Sequence, residues 1–117
     1  MQRSVEEGRR AMVRLLERPI GDRPDAVFAA NDLLAIGALV EAQAQGVDVP
    51  GEIAFVGYDD IDFDPYVTTP LSSVSHSRST YGYSAVDALV AQIEDPTKLA
   101  DTVKLTPELV VRASSRR

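Results

Sequence analysis

Four aspartates fall within six positions directly after an apolar segment of the sequence. The apolar segment is IAFVGY, residues 53–58, and the acidic residues that follow it are Asp59, Asp60, Asp62 and Asp64. Carboxylates at this density can coordinate a cation, accept a phosphoryl group or accept hydrogen bonds from a polar ligand. The elements that hold these carboxylates determine which chemistry is possible.

The elements around the aspartates are predicted to form a βαβ unit. Apolar runs of strand length lie at residues 26–30 and 53–57, and residues 32–45 between them have the character of one crossover helix ending at Gly46. Parallel strands place their carboxyl ends along one edge of a sheet, where open α/β sheets bind ligands. Asn31-Asp32 and Asp59-Asp60 are therefore expected at neighbouring strand ends.

The rest of the chain continues the alternation of helices and strands. Ser4 with Glu7 is a capping-box pattern, which predicts a helix over about residues 4–18 that ends at Pro19. Beyond residue 70 the pattern predicts a weak strand, a helix and two short strands, at residues 71–75, 79–94, 102–105 and 108–112. The predicted fold class is α/β, with a mostly parallel sheet flanked by helices on both faces.

Composition restricts the class of protein. With 117 residues, 44% of them hydrophobic, the chain suits one compact domain. Twelve basic against eighteen acidic residues give a net charge of −6, which opposes binding to a phosphate backbone. The sequence has no cysteine, secretory signal or membrane-spanning run, so a cytoplasmic location without membrane contact is expected. The last three arginines are predicted to form solvated faces and a frayed tail: Arg112, Arg116 and Arg117.

A calcium site is the first candidate for the acidic cluster. Asp60, Asp62 and Asp64 have the spacing that opens an EF-hand loop. That loop also needs a glycine at its sixth position and a glutamate at its twelfth, where this sequence has Pro65 and Leu71. No metal and no cofactor are therefore predicted.

Three other interpretations of the cluster remain. A phospho-acceptor aspartate of the receiver type is a weak alternative, since receivers need a lysine after the last strand and Lys98 and Lys104 lie in the wrong context. Helix capping or a solvated loop is favoured for four acids, namely Asp32, Asp60, Asp62 and Asp64. Recognition of a polar ligand is assigned to Asn31 and Asp59, since an amide and a carboxylate at adjacent strand ends can bind hydroxyls or ring nitrogens.

Five sequence blocks occur in a fixed order along the chain. They are PDAVFAAND, GALVEAQAQGVDVP, GYDD, PLSSV and the closing ELVVRASS. In this order they resemble the lactose-repressor/galactose-repressor (LacI/GalR) family of bacterial transcription regulators, which commonly has PLTTV at the fourth block. The resemblance covers nearly the whole chain. It implies the fold of the sugar-binding periplasmic proteins, in which two lobes close on an effector, and this chain matches only the C-terminal part of that domain.

The resemblance implies a set of effector ligands. Asp59 would accept hydrogen bonds from sugar hydroxyls or a base, with Asn31 beside it, and Phe28 would stack on the effector. His76 and Arg78 lie in the segment that lines the cleft in related proteins, although the family more often has glutamine and an apolar residue there. From the residues alone, an aromatic in an apolar strand packs in a core, and a lone histidine is structural or at the surface.

The predicted function follows from the resemblance. The chain is expected to be a single partial domain, residues 1–117, with an effector-sensing and dimerising role and no enzymatic activity. Its partners would be a sugar or nucleoside-like effector and a second copy, and operator DNA would be bound only through a domain that this sequence lacks. A fragment of a periplasmic-type sugar-binding protein is the alternative.

A dimer interface is predicted from the composition of the second helix. Residues 33–42 are apolar almost all round, and a sheet can cover only one side of a helix. In the family resembled, this helix and the loop after GYDD pack across a two-fold axis. The residues implicated are Leu33, Ile36, Leu39, Val40, Ile61, Phe63 and Tyr66.

Overall fold

The computed structural model describes residues 4–76, 78–99 and 102–117. These residues form two compact units. The first unit consists of the chain up to Ser75 together with Leu109–Arg117, and the second consists of His76–Glu108. The chain therefore leaves the first unit after Ser75 and re-enters it at Leu109.

The first unit is built around a parallel sheet. Its elements in chain order are α1 (Val5–Leu16), β1 (Ala26–Phe28), α2 (Asp32–Ala44), β2 (Ala54–Tyr58), β3 (Ser72–Ser75) and β4 (Glu108–Val110). In the described part of the chain the strand order is β1-β2-β3-β4, and both the β1–β2 and the β2–β3 pairs are parallel. The predicted α/β fold class and its βαβ unit are confirmed.

Polar side chains and one glycine set the ends of the helices. The Ser4 hydroxyl accepts a hydrogen bond from the Glu7 N–H at 3.3 Å and caps α1. Asn31 Oδ1 accepts the Leu34 N–H at 2.9 Å and caps α2. Gly46 has a φ of 84° just beyond α2, the left-handed conformation that glycine adopts without a Cβ clash. The predicted starts and stops of both helices are thus confirmed to within two residues.

The hydrophobic core lies between α1, α2 and the sheet. Its largest fully buried apolar side chains are Met12, Leu39, Phe55 and Leu71. α2 packs against β2 on one side and against α1 on another. The two helices approach closely because a Cβ at Gly8 would overlap the Leu34 carbonyl oxygen and a Cβ at Gly37 would overlap that of Val5. α2 is apolar on several faces because both α1 and the sheet cover it.

The second unit contains α3 (Arg78–Glu94) and the segment after it. A cavity of about 500 Å³ lies between this helix and the following segment, lined in part by Leu89, Leu99 and Val103. The predicted strand at residues 102–105 is wrong, because these residues pair with no strand in the described part of the chain. Of the last predicted strand, Glu108–Val110 is confirmed as β4. None of the described helices is both long and apolar enough to cross a bilayer.

Candidate functional site

The carboxyl ends of the parallel strands carry the predicted ligand residues. Phe28 is paired with Val56, and Tyr58 with Val74, so β1, β2 and β3 end along one edge. The Asp59 N–H donates to the Val74 carbonyl at 3.0 Å, which extends the β2–β3 pairing by one residue. Asn31 and Asp59 therefore lie at neighbouring strand ends, as the sequence predicted.

The turn after β2 has an unusual backbone. Asp59 has a φ of 116° and Asp60 a φ of 55°, both in the region that disfavours residues with a Cβ. Such conformations cost on the order of 1–3 kcal/mol each and persist where the surroundings hold them. The name effector turn is used below for residues Asp59–Ile61. Three side chains from other elements hold it in place.

Two main-chain N–H groups of the effector turn donate hydrogen bonds to side chains of other elements. The Asp60 N–H donates to Ser73 Oγ at 2.9 Å, and the Ile61 N–H donates to Asp32 Oδ2 at 2.9 Å. Ser73 Oγ in turn donates to Asp32 Oδ1 at 2.7 Å. The turn is therefore connected to both β3 and the first residue of α2.

Asp32 belongs to the core of this arrangement. Its side chain is fully buried, and a Cβ at Gly57 would overlap its Oδ1 atom. The prediction that Asp32 is a helix cap or a solvated acid is wrong, because Asn31 makes the cap and Asp32 accepts hydrogen bonds beneath the effector turn. Asn31 Oδ1 accepts the hydrogen bond of the cap, and the Nδ2 group of the same side chain is a donor.

Asp64 is a second fully buried acid, so the solvated-loop prediction is wrong for it too. No described residue donates a hydrogen bond to either of its carboxylate oxygens. Burial first, and then the hydrogen bond and negative charge of Asp32, raise the pKa of Asp64 to about 8. Burial thus favours the neutral form of the Asp64 carboxyl.

Arg112 completes the cluster, and the prediction of a solvated tail is wrong for it. Its Nη2 donates to Asp60 Oδ1 at 2.7 Å, and its Nη1 donates to the Leu71 carbonyl at 2.7 Å. Its Nη1 also lies 3.7 Å from Asp64 Oδ2. Asp60 is thus an ion-pair partner and not a solvated acid, whereas Asp62 is exposed as predicted.

Sequence reasoning missed Arg112 because no local spacing connects it with residues 60 and 64. The only available signal was its place in the closing ELVVRASS block. The tail prediction also fails at the end of the chain, where the Arg117 guanidinium donates to the main-chain carbonyls of Pro50 and Asp25.

Phe28 is 64% exposed, so it does not pack in a core. The reason is that β1 lies at one end of the strand order and Phe28 is its last residue. An accessible aromatic face at this edge is suited to stacking against a ring. Its role as a ligand residue stays a prediction.

His76 and Arg78 belong to the second unit and are described apart from the effector turn. His76 is half-buried, and its ring meets that of Tyr81 edge-on with 5.4 Å between centroids. The side chain of Arg78 lies outside the described residues. For both residues a role in ligand binding stays a prediction.

The three aspartates with calcium-loop spacing lie in different environments. Asp60 pairs with Arg112, Asp62 is exposed and Asp64 is buried. Over residues 4–76, 78–99 and 102–117, no group of three or more acidic, histidine or cysteine side chains is arranged to hold a metal ion.

The predicted interface residues divide by exposure. Ile36 and Leu39 are 7% and 0% exposed, so they contact the chain's own core and offer no surface to a partner. Ile61 packs partly against the same core. The exposed members are Leu33, Val40, Phe63 and Tyr66. The reasoning that only the sheet covers α2 is wrong, since α1 covers a further side.

Comparison with known proteins places these features in context. Residues 1–115 match the family described as the periplasmic binding protein-like domain. The ribose operon repressor of Escherichia coli strain K12 is 40% identical over 108 residues, which cover 90% of this chain and 31% of the repressor. The chain therefore spans about a third of the length of that curated relative.

Two solved structures with the same fold are described as LacI family regulators. A regulatory protein of the LacI family from Chloroflexus aggregans superposes with a TM-score of 0.89 at 32% identity, over 99% of this chain and 41% of that chain. A LacI family transcriptional regulator from Enterococcus faecium with bound ribose superposes with a TM-score of 0.86 at 26% identity, over 97% and 41%.

Proposed function

Because the chain belongs to the periplasmic binding protein-like domain family and corresponds to the C-terminal part of a LacI-type effector-binding domain, we propose that it binds a small-molecule effector at the carboxyl ends of β1 and β2. The role is one of binding without catalysis, within a transcription regulator. The effector turn is the observation that carries this proposal. Two consecutive non-glycine residues with positive φ, braced by three buried or half-buried side chains, are a feature of functional sites.

The chemistry of the strand ends suits a sugar. The Asp59 carboxylate accepts hydrogen bonds from hydroxyl groups, and the Asn31 Nδ2 group donates one. The exposed ring of Phe28 offers an apolar face to the C–H face of a sugar ring. One solved relative binds ribose, which supports a sugar as the effector class.

Regulation would require two further partners. We propose that two copies of the protein associate and that operator DNA is contacted by residues other than these 117, because the net charge of −6 repels phosphates. A regulator of this kind works in the cytoplasm, where its DNA is. Effector binding would shift the balance between two arrangements of the protein according to its relative affinity for each.

A nuclear magnetic resonance titration of the uniformly ¹⁵N-labelled chain tests the proposal. D-ribose and D-glucose are added up to high millimolar concentration, and amide shifts are followed in the wild type, Asp59→Asn and the control Asp62→Asn. We expect saturable shifts confined to residues 28–31 and 58–61, with a dissociation constant of about 1 mM or weaker, since a site open to water binds poorly.

The two variants distinguish a residue that binds the effector from a nearby acidic residue that does not. Asp59→Asn removes a charge-assisted acceptor, so the affinity should fall about tenfold or more, whereas exposed Asp62→Asn should leave it unchanged. Unchanged titration of Asp59→Asn would remove Asp59 from the site. Saturable shifts elsewhere in the chain would move the site away from the strand ends.

A further inference from the structure

We propose that Arg112 is a positioning residue for Asp59, an inference that rests on the proposed role of Asp59 in effector binding. Arg112 acts through Asp60, the adjacent residue in the effector turn. Its Nη2 lies 2.7 Å from Asp60 Oδ1, in an ion pair whose side chains are 18% and 23% exposed. The direction of the Asp59 carboxylate depends on the backbone angles of this turn.

The three side chains that contact the effector turn, those of Ser73, Asp32 and Arg112, hold different parts of it. Ser73 and Asp32 accept hydrogen bonds from the main-chain N–H groups of Asp60 and Ile61. Arg112 is the brace that holds the Asp60 side chain among the described residues. Without it, the Asp60 carboxylate loses its ion-pair partner, and the unfavourable φ angles of the turn lose one of their restraints.

Arg112 is itself held firmly enough to serve as an anchor. Its N–H donates to Ser72 Oγ at 2.7 Å, and Ser72 Oγ lies 3.1 Å from its carbonyl oxygen. The guanidinium also donates to the Leu71 carbonyl at 2.7 Å. The main chain of Arg112 is thus held by Ser72 in β3 and its guanidinium by the Leu71 carbonyl, and the planar guanidinium defines where the Asp60 carboxylate lies.

A set of matched variants tests the inference by two independent readouts. The variants are Arg112→Gln, Arg112→Lys, Asp60→Asn, the Arg112→Gln/Asp60→Asn pair and the control Arg116→Gln. The first readout, without ligand, is the geometry of the effector turn from three-bond HN–Hα couplings and amide exchange of residues 59–61. The second is the affinity for D-ribose from the titration described above. Far-ultraviolet circular dichroism confirms that each variant is folded.

Arg112→Gln should change the couplings of the turn and weaken D-ribose binding about three- to tenfold. Arg112→Lys should recover part of both, because an ammonium keeps the charge but not the two-pronged geometry. The double variant should be no weaker than the stronger single variant, since both remove one interaction. Arg116→Gln should match the wild type, because it removes an equal charge from an exposed side chain.

Several outcomes would overturn the inference. Wild-type couplings and affinity in Arg112→Gln would do so, as would additive losses in the double variant. If Arg112→Gln does not fold, Asp60→Asn removes the same ion pair and is judged by the same criteria. If Asp59→Asn leaves D-ribose binding intact, the proposed role of Asp59 fails, and the ligand-free couplings alone decide whether Arg112 sets the geometry of the turn.

Discussion

The carboxylate of Asp32 accepts a hydrogen bond from the hydroxyl of Ser73 at 2.7 Å, and both side chains are fully buried beneath the effector turn. Asp32 begins α2, and Ser73 lies in β3. One pair of side chains thus connects a helix start, a strand and the turn that carries Asp59. Buried polar groups that are hydrogen-bonded to each other hold the elements that carry them in one arrangement. Removal of one partner leaves the other buried without a hydrogen bond.

Replacement of Ser73 should therefore be costly. Ser73→Ala removes the donor to Asp32 and the acceptor of the Asp60 N–H, so we expect the free energy of unfolding to fall by about 1–3 kcal/mol. Ser75→Ala is the matched control, since this half-buried serine lies two residues later in the same strand. Urea unfolding followed by circular dichroism measures both. Equal stabilities for the two variants would show that the Asp32–Ser73 bond contributes nothing net.

Asp64 should make stability depend on pH. Its pKa in the folded chain is raised from 3.8 to about 8, so the folded state binds one more proton than the unfolded state between these values. The contribution is complete at low pH and is lost as pH rises through about 8. We expect the free energy of unfolding to fall with pH between about 5.5 and 8, with a slope of at most about 1.4 kcal/mol per pH unit.

The amide variant isolates this effect. Asp64→Asn cannot ionise and can still donate a hydrogen bond to Asp32, so its stability should vary less with pH. It should match the wild type near pH 5.5 and exceed it at pH 8.5. Urea unfolding at four pH values, with exposed Asp62→Asn as the control, gives the comparison. A wild-type slope that persists in Asp64→Asn would assign the proton to another group.

The contact between α1 and α2 should not tolerate a methyl group. A Cβ at Gly8 would overlap the main-chain carbonyl of Leu34, which cannot rotate away, so Gly8→Ala should destabilise the first unit by about 1–3 kcal/mol. Gly82→Ala is the matched control within a helix, because a Cβ there meets nothing within 4 Å. It should be neutral or stabilise α3 by up to about 1 kcal/mol. Thermal unfolding of both variants decides whether the close approach holds in solution.

Local rules predicted most of the elements. Ser4 and Gly46 mark helix ends through contacts within a few residues, as predicted, whereas the cap of α2 is Asn31 and not the predicted Asp32. The strand at residues 102–105 was predicted wrongly because strand formation needs a pairing partner, which local alternation of side chains does not reveal.

The site was only partly predictable for a related reason. The placement of Asn31 and Asp59 follows from parallel topology, which the sequence pattern indicates. The burial of Asp32 and Asp64 depends on Ser73 and Arg112, which lie 41 residues from Asp32 and 48 from Asp64 in the sequence. Because these partners are distant in the sequence, the four nearby aspartates have the local pattern of a solvated loop. Long-range satisfaction of buried charge is what sequence periodicity does not encode.

Self-association is the last prediction, and the structure narrows where it should occur. Leu33 and Val40 lie seven residues apart, two turns of α2, and are 43% and 49% exposed, while Phe63 and Tyr66 are exposed in the loop after β2. Together these four residues are called the α2 patch. A stable pair buries about 800 Å² per partner, and apolar side chains in the centre of such an interface contribute most of the affinity.

Sedimentation velocity at micromolar concentration tests this prediction. We expect a dimer for the wild type and a monomer for Val40→Asp, because a buried, unpaired carboxylate opposes association by several kcal/mol. Leu89→Asp is the control, since Leu89 is 58% exposed on α3 in the second unit and should leave the dimer intact. Dispersal by Leu89→Asp alone would place the contact on α3, and a monomeric wild type would show that the α2 patch does not pair copies of this chain.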